Sequence, residues 1–273
     1  MPISRSPSRN VKPAPSSGTA QGRFFWPVIL IGFVALLAVI VAVLPASMVS
    51  HFLPPSVHAE DFSGSLWHGS AGRISVDARD AGALEWRLHP AALLGIALAL
   101  DLHWVKVGFV VDAVVNIDRR GLTAHAVKGG GPIEDLHDVG IASGWHGTAD
   151  INLSELESDF TKPLAAVGDV HVANLTSAQI ADGADLGGYV LHLAEGAVDA
   201  DGNVTAQLKD TGGPVAVQTL IRYSTKERTG LLTGTLQERP GAPAALLSQL
   251  ENVSQLRGRD AQGRVPVELE FSL

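Results

Sequence analysis

Apolar and polar residues alternate along much of the chain beyond residue 60. Every second residue is apolar between positions 96 and 104, and the same period of two runs through the C-terminus. Such alternation predicts strands with one buried and one solvated face, arranged in an antiparallel sheet. The fold class is therefore mainly β, an antiparallel meander or curved sheet. The residues expected to face the core are Ile96, Leu98, Leu100, Leu102 and Trp104, then Val265, Val267, Leu269, Phe271 and Leu273.

Few segments carry a helical period. The clearest is 243–256, which opens with proline, places leucines and a valine on one stripe, and ends before Gly258. Weaker signals are a single turn at 89–95 and a capping-box pattern at 154–157. The glycine run at 129–131 is interpreted as a turn before Pro132. We therefore expect few and short helices in the β-rich part.

The longest apolar run, from Phe24 to Leu44, predicts one transmembrane helix. At about 1.5 Å per residue it spans the roughly 30 Å hydrocarbon layer. All charged residues before it are basic (Arg5, Arg9, Lys12 and Arg23), and such flanks stay in the cytoplasm. We expect a disordered cytoplasmic tail at 1–23, a transmembrane helix at 24–44, a linker at 45–58 and a periplasmic β-rich domain at 59–273. The alternative is a signal peptide cleaved after Ala59.

Composition narrows the class of partner. The net charge is −8 although the tail is basic, so the exported part is acidic and no nucleic-acid partner is expected. The chain has no cysteine, so the exported domain depends on its apolar core without disulfides.

A search for catalytic and metal-binding patterns favours a protein that is not an enzyme. Nucleophile elbows, zinc-binding histidine pairs, P-loops and dinucleotide fingerprints do not occur. The ten histidines are scattered along strand-like stretches and are interpreted as polar-face residues rather than metal ligands. No catalytic residue, cofactor or metal is expected.

One short pattern occurs twice. The sequence Trp-His-Gly-(Ser/Thr)-Ala begins at Trp67 and again at Trp145, and each copy leads into an alternating strand. The recurrence predicts a sheet built from two similar β units. The tryptophans are interpreted first as core anchors, with partner contact as the alternative. The candidate partner-contact residues are Trp67, His68, Trp145 and His146.

Three blocks in order carry a family resemblance. Behind the basic tail and apolar run come Gly64-Ser65-Leu66-Trp67-His68-Gly69, then Leu84-Glu85-Trp86-Arg87-Leu88-His89-Pro90 with Leu93-Leu94-Gly95, then Gly263-Arg264-Val265-Pro266. This order resembles the N protein of the type II (general) secretion pathway, GspN, although residues 260–263 match that pattern loosely.

The resemblance implies a bitopic inner-membrane protein of a Gram-negative type II secretion system. It implies a non-enzymatic assembly component whose partners are the inner-membrane platform proteins and the connector to the outer-membrane secretin. The alternative is an AsmA-like β-groove protein that carries lipid in the envelope. The two differ in whether the apolar stripe at 96–104 is sealed under the helix at 243–256 or lines an open trough.

Overall fold

The computed structural model describes residues 33, 36, 39, 40, 42–89, 98–139, 143–178 and 180–272. The chain divides into two compact units, Met1–Val43 and Leu44–Leu273. The predicted tail 1–23 and most of the predicted transmembrane helix lie outside the described residues. Seven residues of that predicted helix are described: Phe33, Leu36, Val39, Ile40 and Ala42 are helical, Val43 lies in a turn, and Leu44 is not helical. Within the described part, no helix combines the length and apolar character needed to span a bilayer.

The second unit is one antiparallel sheet of 14 strands, which confirms the predicted mainly β antiparallel meander. Neighbours in sequence are neighbours in the sheet from β1 to β8 and from β10 to β14; β10 pairs with β8, and β9 pairs only with the end of β8. The strands are β1 (Val57–Gly64), β2 (His68–Val76), β3 (Arg79–His89), β4 (Leu98–Lys106), β5 (Phe109–Ile117), β6 (Leu122–Pro132), β7 (Trp145–Ser158), β8 (Pro163–Ser177), β9 (Ile180–Asp185), β10 (Gly188–Leu193), β11 (Val204–Gly212), β12 (Val215–Ser224), β13 (Thr229–Glu238) and β14 (Val265–Ser272).

Three helices with defined bounds accompany the sheet: two 3-10 helices, η1 (Ala46–Phe52) and η2 (Ile133–Val139), and one α-helix, α1 (Ala244–Arg257). Helix α1 confirms the helix predicted at 243–256; Pro243 precedes it, and Gly258 ends it with a φ of 77°. It packs against β9 and β14. Helix η1 and the first residues of β1 occupy the segment expected to be a linker at 45–58.

The middle of the predicted stripe on β4 contributes to a buried apolar cluster. Leu100 is buried and lies opposite Val115 of β5, and Leu102 packs against the same cluster as Trp86. Ala46 of η1, which is 1% exposed, belongs to this cluster too. Leu98 is exposed, and Ile96 lies outside the described residues. The middle of the stripe therefore packs within this cluster, and the main contacts of helix α1 are with β9 and β14 instead.

Two local predictions are wrong because strand neighbours override local signals. Ser154 and Glu157, expected to cap a helix, lie inside β7, and Glu157 pairs with Thr123 of β6 and Ala165 of β8. The glycines at 129–131, expected to form a turn, belong to β6. A Cβ on Gly129 would lie 2.7 Å from the Cα of Val111 on β5, so this position needs glycine for close strand contact.

The last strand follows the predicted alternation only in part. Val265 is fully buried, and Phe271 is half-buried. Leu269, expected to face the core, is 59% exposed. Since β14 is an edge strand with a sheet neighbour on one side only, its outer half has less protein around it than an interior strand.

Candidate functional site

The first copy of the repeated pattern lies at the turn between β1 and β2. Trp67 is half-buried, and its carbonyl oxygen accepts a hydrogen bond from the Leu88 backbone N–H at 2.7 Å. His68 is exposed at the start of β2. This copy thus ties the β1–β2 turn to β3 and presents one imidazole to solvent.

The second copy begins β7. Trp145 is half-buried and packs in a cluster with Phe109 and Leu136. His146 is exposed, with its Nδ1 atom 4.0 Å from Oε1 of Glu134 on η2. The Trp145 side chain therefore packs in the core on one face of the strand, while the His146 side chain lies on the opposite face.

The structure does not bring the two copies together. Strands β3 to β6 lie between β2 and β7, which places the copies about 24 Å apart along the sheet at roughly 4.8 Å per strand. The two strands also run in opposite directions, because five antiparallel steps separate them. The two-unit duplication and the partner-contact role of Trp67, His68, Trp145 and His146 stay predictions.

A cavity of about 760 Å³, lined mostly by apolar side chains, lies between one face of the sheet and helix α1. Residues from β5 to β13, helix η2 and helix α1 line it. Leu246, Gln249, Leu250 and Val253 form the side contributed by the helix. This cavity has no signature in the sequence, because its lining residues come from strands whose pairing is not visible there.

The cavity shows that the sheet is curved. Phe109 on β5 and Leu236 on β13 line the same space. Seven strand-to-strand steps separate them in the sheet order, about 34 Å if the sheet were flat. The helix residues that line the same space, Leu246 to Val253, span only about 10 Å of α1, so strands β5 to β13 curl towards the helix.

A polar group adjoins the apolar lining. The Asp210 carboxylate is 8% exposed; its Oδ2 lies 2.6 Å from Nη1 of Arg239, and its Oδ1 accepts a hydrogen bond from the Val217 backbone N–H at 2.7 Å. Burial, followed by the charge of Asp210, raises the pKa of the Tyr189 phenol above its usual 10.0. That phenol donates a hydrogen bond to the Leu186 carbonyl oxygen at 3.0 Å, so its proton is already engaged.

Elsewhere, histidines pair with aspartates across neighbouring strands. His103 Nδ1 lies 2.7 Å from Oδ1 of Asp112, and His192 Nδ1 lies 2.7 Å from Oδ1 of Asp169. Both pairs are directly opposite in the register, which explains why sequence spacing did not reveal them. Among the described residues, no three or more His, Asp or Glu side chains are grouped to hold a metal ion.

Comparison with known proteins gives one family. The family model described as "Type II secretion system (T2SS), protein N" matches residues 55–268, from just before β1 to the middle of β14. No curated protein and no solved structure matches the chain.

Proposed function

This chain belongs to the type II secretion system protein N family, and we propose that it serves that system as a non-enzymatic assembly component. The observation that carries the proposal is the family match, which covers nearly the whole β-sheet. The protein takes part in protein secretion, and its partners are other proteins of the type II secretion system. We infer that these are the inner-membrane platform proteins and the connector to the outer-membrane secretin.

The proposed location is the inner membrane, with one transmembrane helix between Phe24 and Leu44 and the sheet in the periplasm. The support is the basic segment ahead of a long apolar run. The alternative cleavage after Ala59 would cut inside β1, where Ala59 pairs with Ile74 of β2. Loss of residues 57–59 would remove the beginning of that strand, so a retained anchor agrees better with the fold.

A tethered binding role suits the sheet. Strands β1 and β14 form its edges, and an edge strand offers unpaired backbone groups to another chain. Anchoring to one membrane raises the effective concentration of neighbouring proteins to roughly the millimolar range, so weak contacts suffice.

The test measures secretion by a strain that carries altered forms of the chain. Replacing residues 24–44 with an unrelated transmembrane helix should preserve secretion, because the helix acts as a tether. Releasing residues 44–273 as a soluble periplasmic protein should sharply reduce secretion at equal abundance. Single alanine substitutions at each histidine and carboxylate should leave secretion intact; one that abolishes it without loss of folded protein would contradict the assembly role.

A second candidate function is carriage of lipid, as in AsmA-like β-groove proteins. The apolar cavity beneath α1 favours it. The stripe on β4 has no part in that cavity, because Leu100 and Leu102 pack in the cluster around Trp86 and are not among the lining residues. Transfer of labelled phospholipid between vesicles by the full chain would support carriage.

A further inference from the structure

We propose that the cavity between helix α1 and the curved sheet binds a single acyl chain. The cavity has about 760 Å³ of space, within the range of roughly 300–1,000 Å³ of small-molecule sites. Its lining is almost entirely aliphatic and aromatic; Gln249 and Tyr189 are the polar exceptions. The Tyr189 hydroxyl is already bonded to the Leu186 carbonyl. The site therefore offers almost no hydrogen-bonding partner to a ligand.

The walls cannot easily close on an empty space. Strands β8, β10, β11 and β12 form the floor, and each is hydrogen-bonded to neighbours on both sides. Helix α1 packs against β9 at one end of the floor and β14 at the other. Because both supports hold the helix away from the middle strands, half-buried residues such as Val172, Leu208 and Val217 face open space. The space is open to solvent on one side, so a ligand can enter it, and apolar surface that a ligand buries there is removed from water.

An extended peptide does not suit this site. Its backbone N–H and C=O groups would enter a space whose floor strands already use their own backbone groups in the sheet. Unpaired backbone groups are costly to bury. A helical peptide pairs its own backbone, but it is a cylinder about 10 Å across with about 1.5 Å of rise per residue, so roughly six residues would fill the cavity. That is less than two turns.

An acyl chain has neither the unpaired backbone groups of an extended peptide nor the width of a helical one. It has no hydrogen-bonding group along its length, and it is thin enough to follow the curved floor from β8 to β12. The helix contributes Leu246, Leu250 and Val253 to the opposite wall, which would cover the chain on its second side. The proposal concerns a ligand site and holds whether or not the protein transports lipid or assembles the secretion machine.

The test uses the full chain in native membranes with photoactivatable palmitate, which carries a diazirine near the end of its acyl chain. After illumination and purification, mass spectrometry locates the attached lipid. We expect adducts on the cavity segments of β8, β12 and α1. In competition with unlabelled fatty acids of 8 to 16 carbons, each added methylene should strengthen displacement by up to about fourfold. Adducts confined to residues 24–44 would overturn the proposal, as would displacement independent of chain length.

Two pairs of substitutions supply the matched control. Val172→Trp with Val217→Trp fills the cavity, whereas Ala173→Trp with Gln218→Trp places the same bulk at exposed positions on the same strands. The first pair should reduce cavity adducts at least tenfold and the second should not; equal labelling would overturn the proposal. Mapping in the unaltered chain gives an answer even if the filled variant does not fold.

A second arm separates the two sources of the chain. A phospholipid bearing the same diazirine should label the cavity if the acyl group belongs to a membrane lipid, and only free palmitate should label it if the ligand is a fatty acid. Either result supports acyl binding. Recovery of an apolar peptide from the cavity, with no acyl adduct, would instead show that the occupant is a protein segment.

Discussion

The ring of Phe271 on β14 lies against the backbone of Gly230, the residue directly opposite on β13. A Cβ atom at position 230 would lie 2.6 Å from the Cε1 atom of that ring. The aromatic ring thus covers a glycine that has no side chain of its own to pack, an arrangement that pins the register of an edge strand.

This contact predicts coupling between the two positions. Phe271→Ala should lower the free energy of unfolding by about 1–2 kcal/mol, less than for a fully buried phenylalanine because the side chain is half-buried. Gly230→Ala should cost about 1 kcal/mol by displacing the ring. The double variant should be more stable than the sum predicts by about 1 kcal/mol. Urea unfolding measures all four proteins; strict additivity would contradict the contact, and Glu270→Ala should stay within about 0.5 kcal/mol.

The ion pair between Arg239 and Asp210 should stabilise the fold more than an exposed pair. Arg239→Ala leaves a nearly buried carboxylate without its cation, and we expect a loss of about 2–3 kcal/mol. Arg257 pairs with Glu268 where both side chains are about half exposed, so Arg257→Ala should cost less than about 1 kcal/mol. Thermal or urea unfolding compares the two. Equal losses would mean that Asp210 is better solvated than the structure indicates.

Acid should remove one contribution to stability at the end of α1. The Arg259 guanidinium, 3.1 Å from Oε2 of Glu251, and then the Ser254 hydroxyl lower the pKa of Glu251 below its usual 4.5. The ionised carboxylate is therefore favoured in the folded state. Its contribution is complete above about pH 4.5 and is lost as pH falls through the lowered pKa.

Arg259→Gln should accordingly be less stable than the unaltered chain at pH 7, with the difference narrowing below pH 4.5. Urea midpoints at several pH values measure the difference. Arg73→Gln is the control, since Arg73 and Glu60 are 3.9 Å apart and each side chain is 66% exposed. A difference that widens toward low pH would contradict the assignment.

The topology can be tested with a reporter. Alkaline phosphatase fused after Leu273 should be active and remain in the membrane fraction of a Gram-negative host, because the basic tail keeps the N-terminus in the cytoplasm. Moving the four basic residues of the tail behind residue 44 should reduce that activity. A soluble, active product that begins after Ala59 would show that the apolar run is a cleaved signal.

Sequence periodicity predicted those elements whose neighbours do not change the local preference. Helix α1 has proline before it, glycine after it and a leucine stripe, and its bounds agree closely with the prediction. The alternation also predicts strand β4. Its two neighbours in the sheet, β3 and β5, bury the same face as β4, so the local pattern and the packing agree. The mixed result on β14 has a physical cause: alternation fixes which face a residue occupies, whereas the exposure of Leu269 depends on what lies over that face.

The cavity and the cross-strand pairs could not be predicted. Phe109 on β5 and Leu236 on β13 line one space because the sheet curls, and curvature depends on bulges and glycines distributed over many strands. His103 and Asp112 meet because of the β4–β5 register, which fixes their separation without any local signature. The sequence alone therefore suggests separate polar-face histidines. In the structure, three of the described histidines, His89, His103 and His192, are hydrogen-bonded to aspartates.

The strand order bears on how the domain reaches its native state. From β1 to β8 and again from β10 to β14, each strand pairs with the one just before it in the chain. Contacts are thus mostly local in sequence, and each new hairpin closes only a short loop before it gains its hydrogen bonds. A chain delivered N-terminus first across a membrane can extend this sheet strand by strand, so that only β1 and the newest strand are unpaired edges at any moment. Strands β10 to β14 and helix α1 join last, so the cavity cannot be complete until the C-terminal residues arrive.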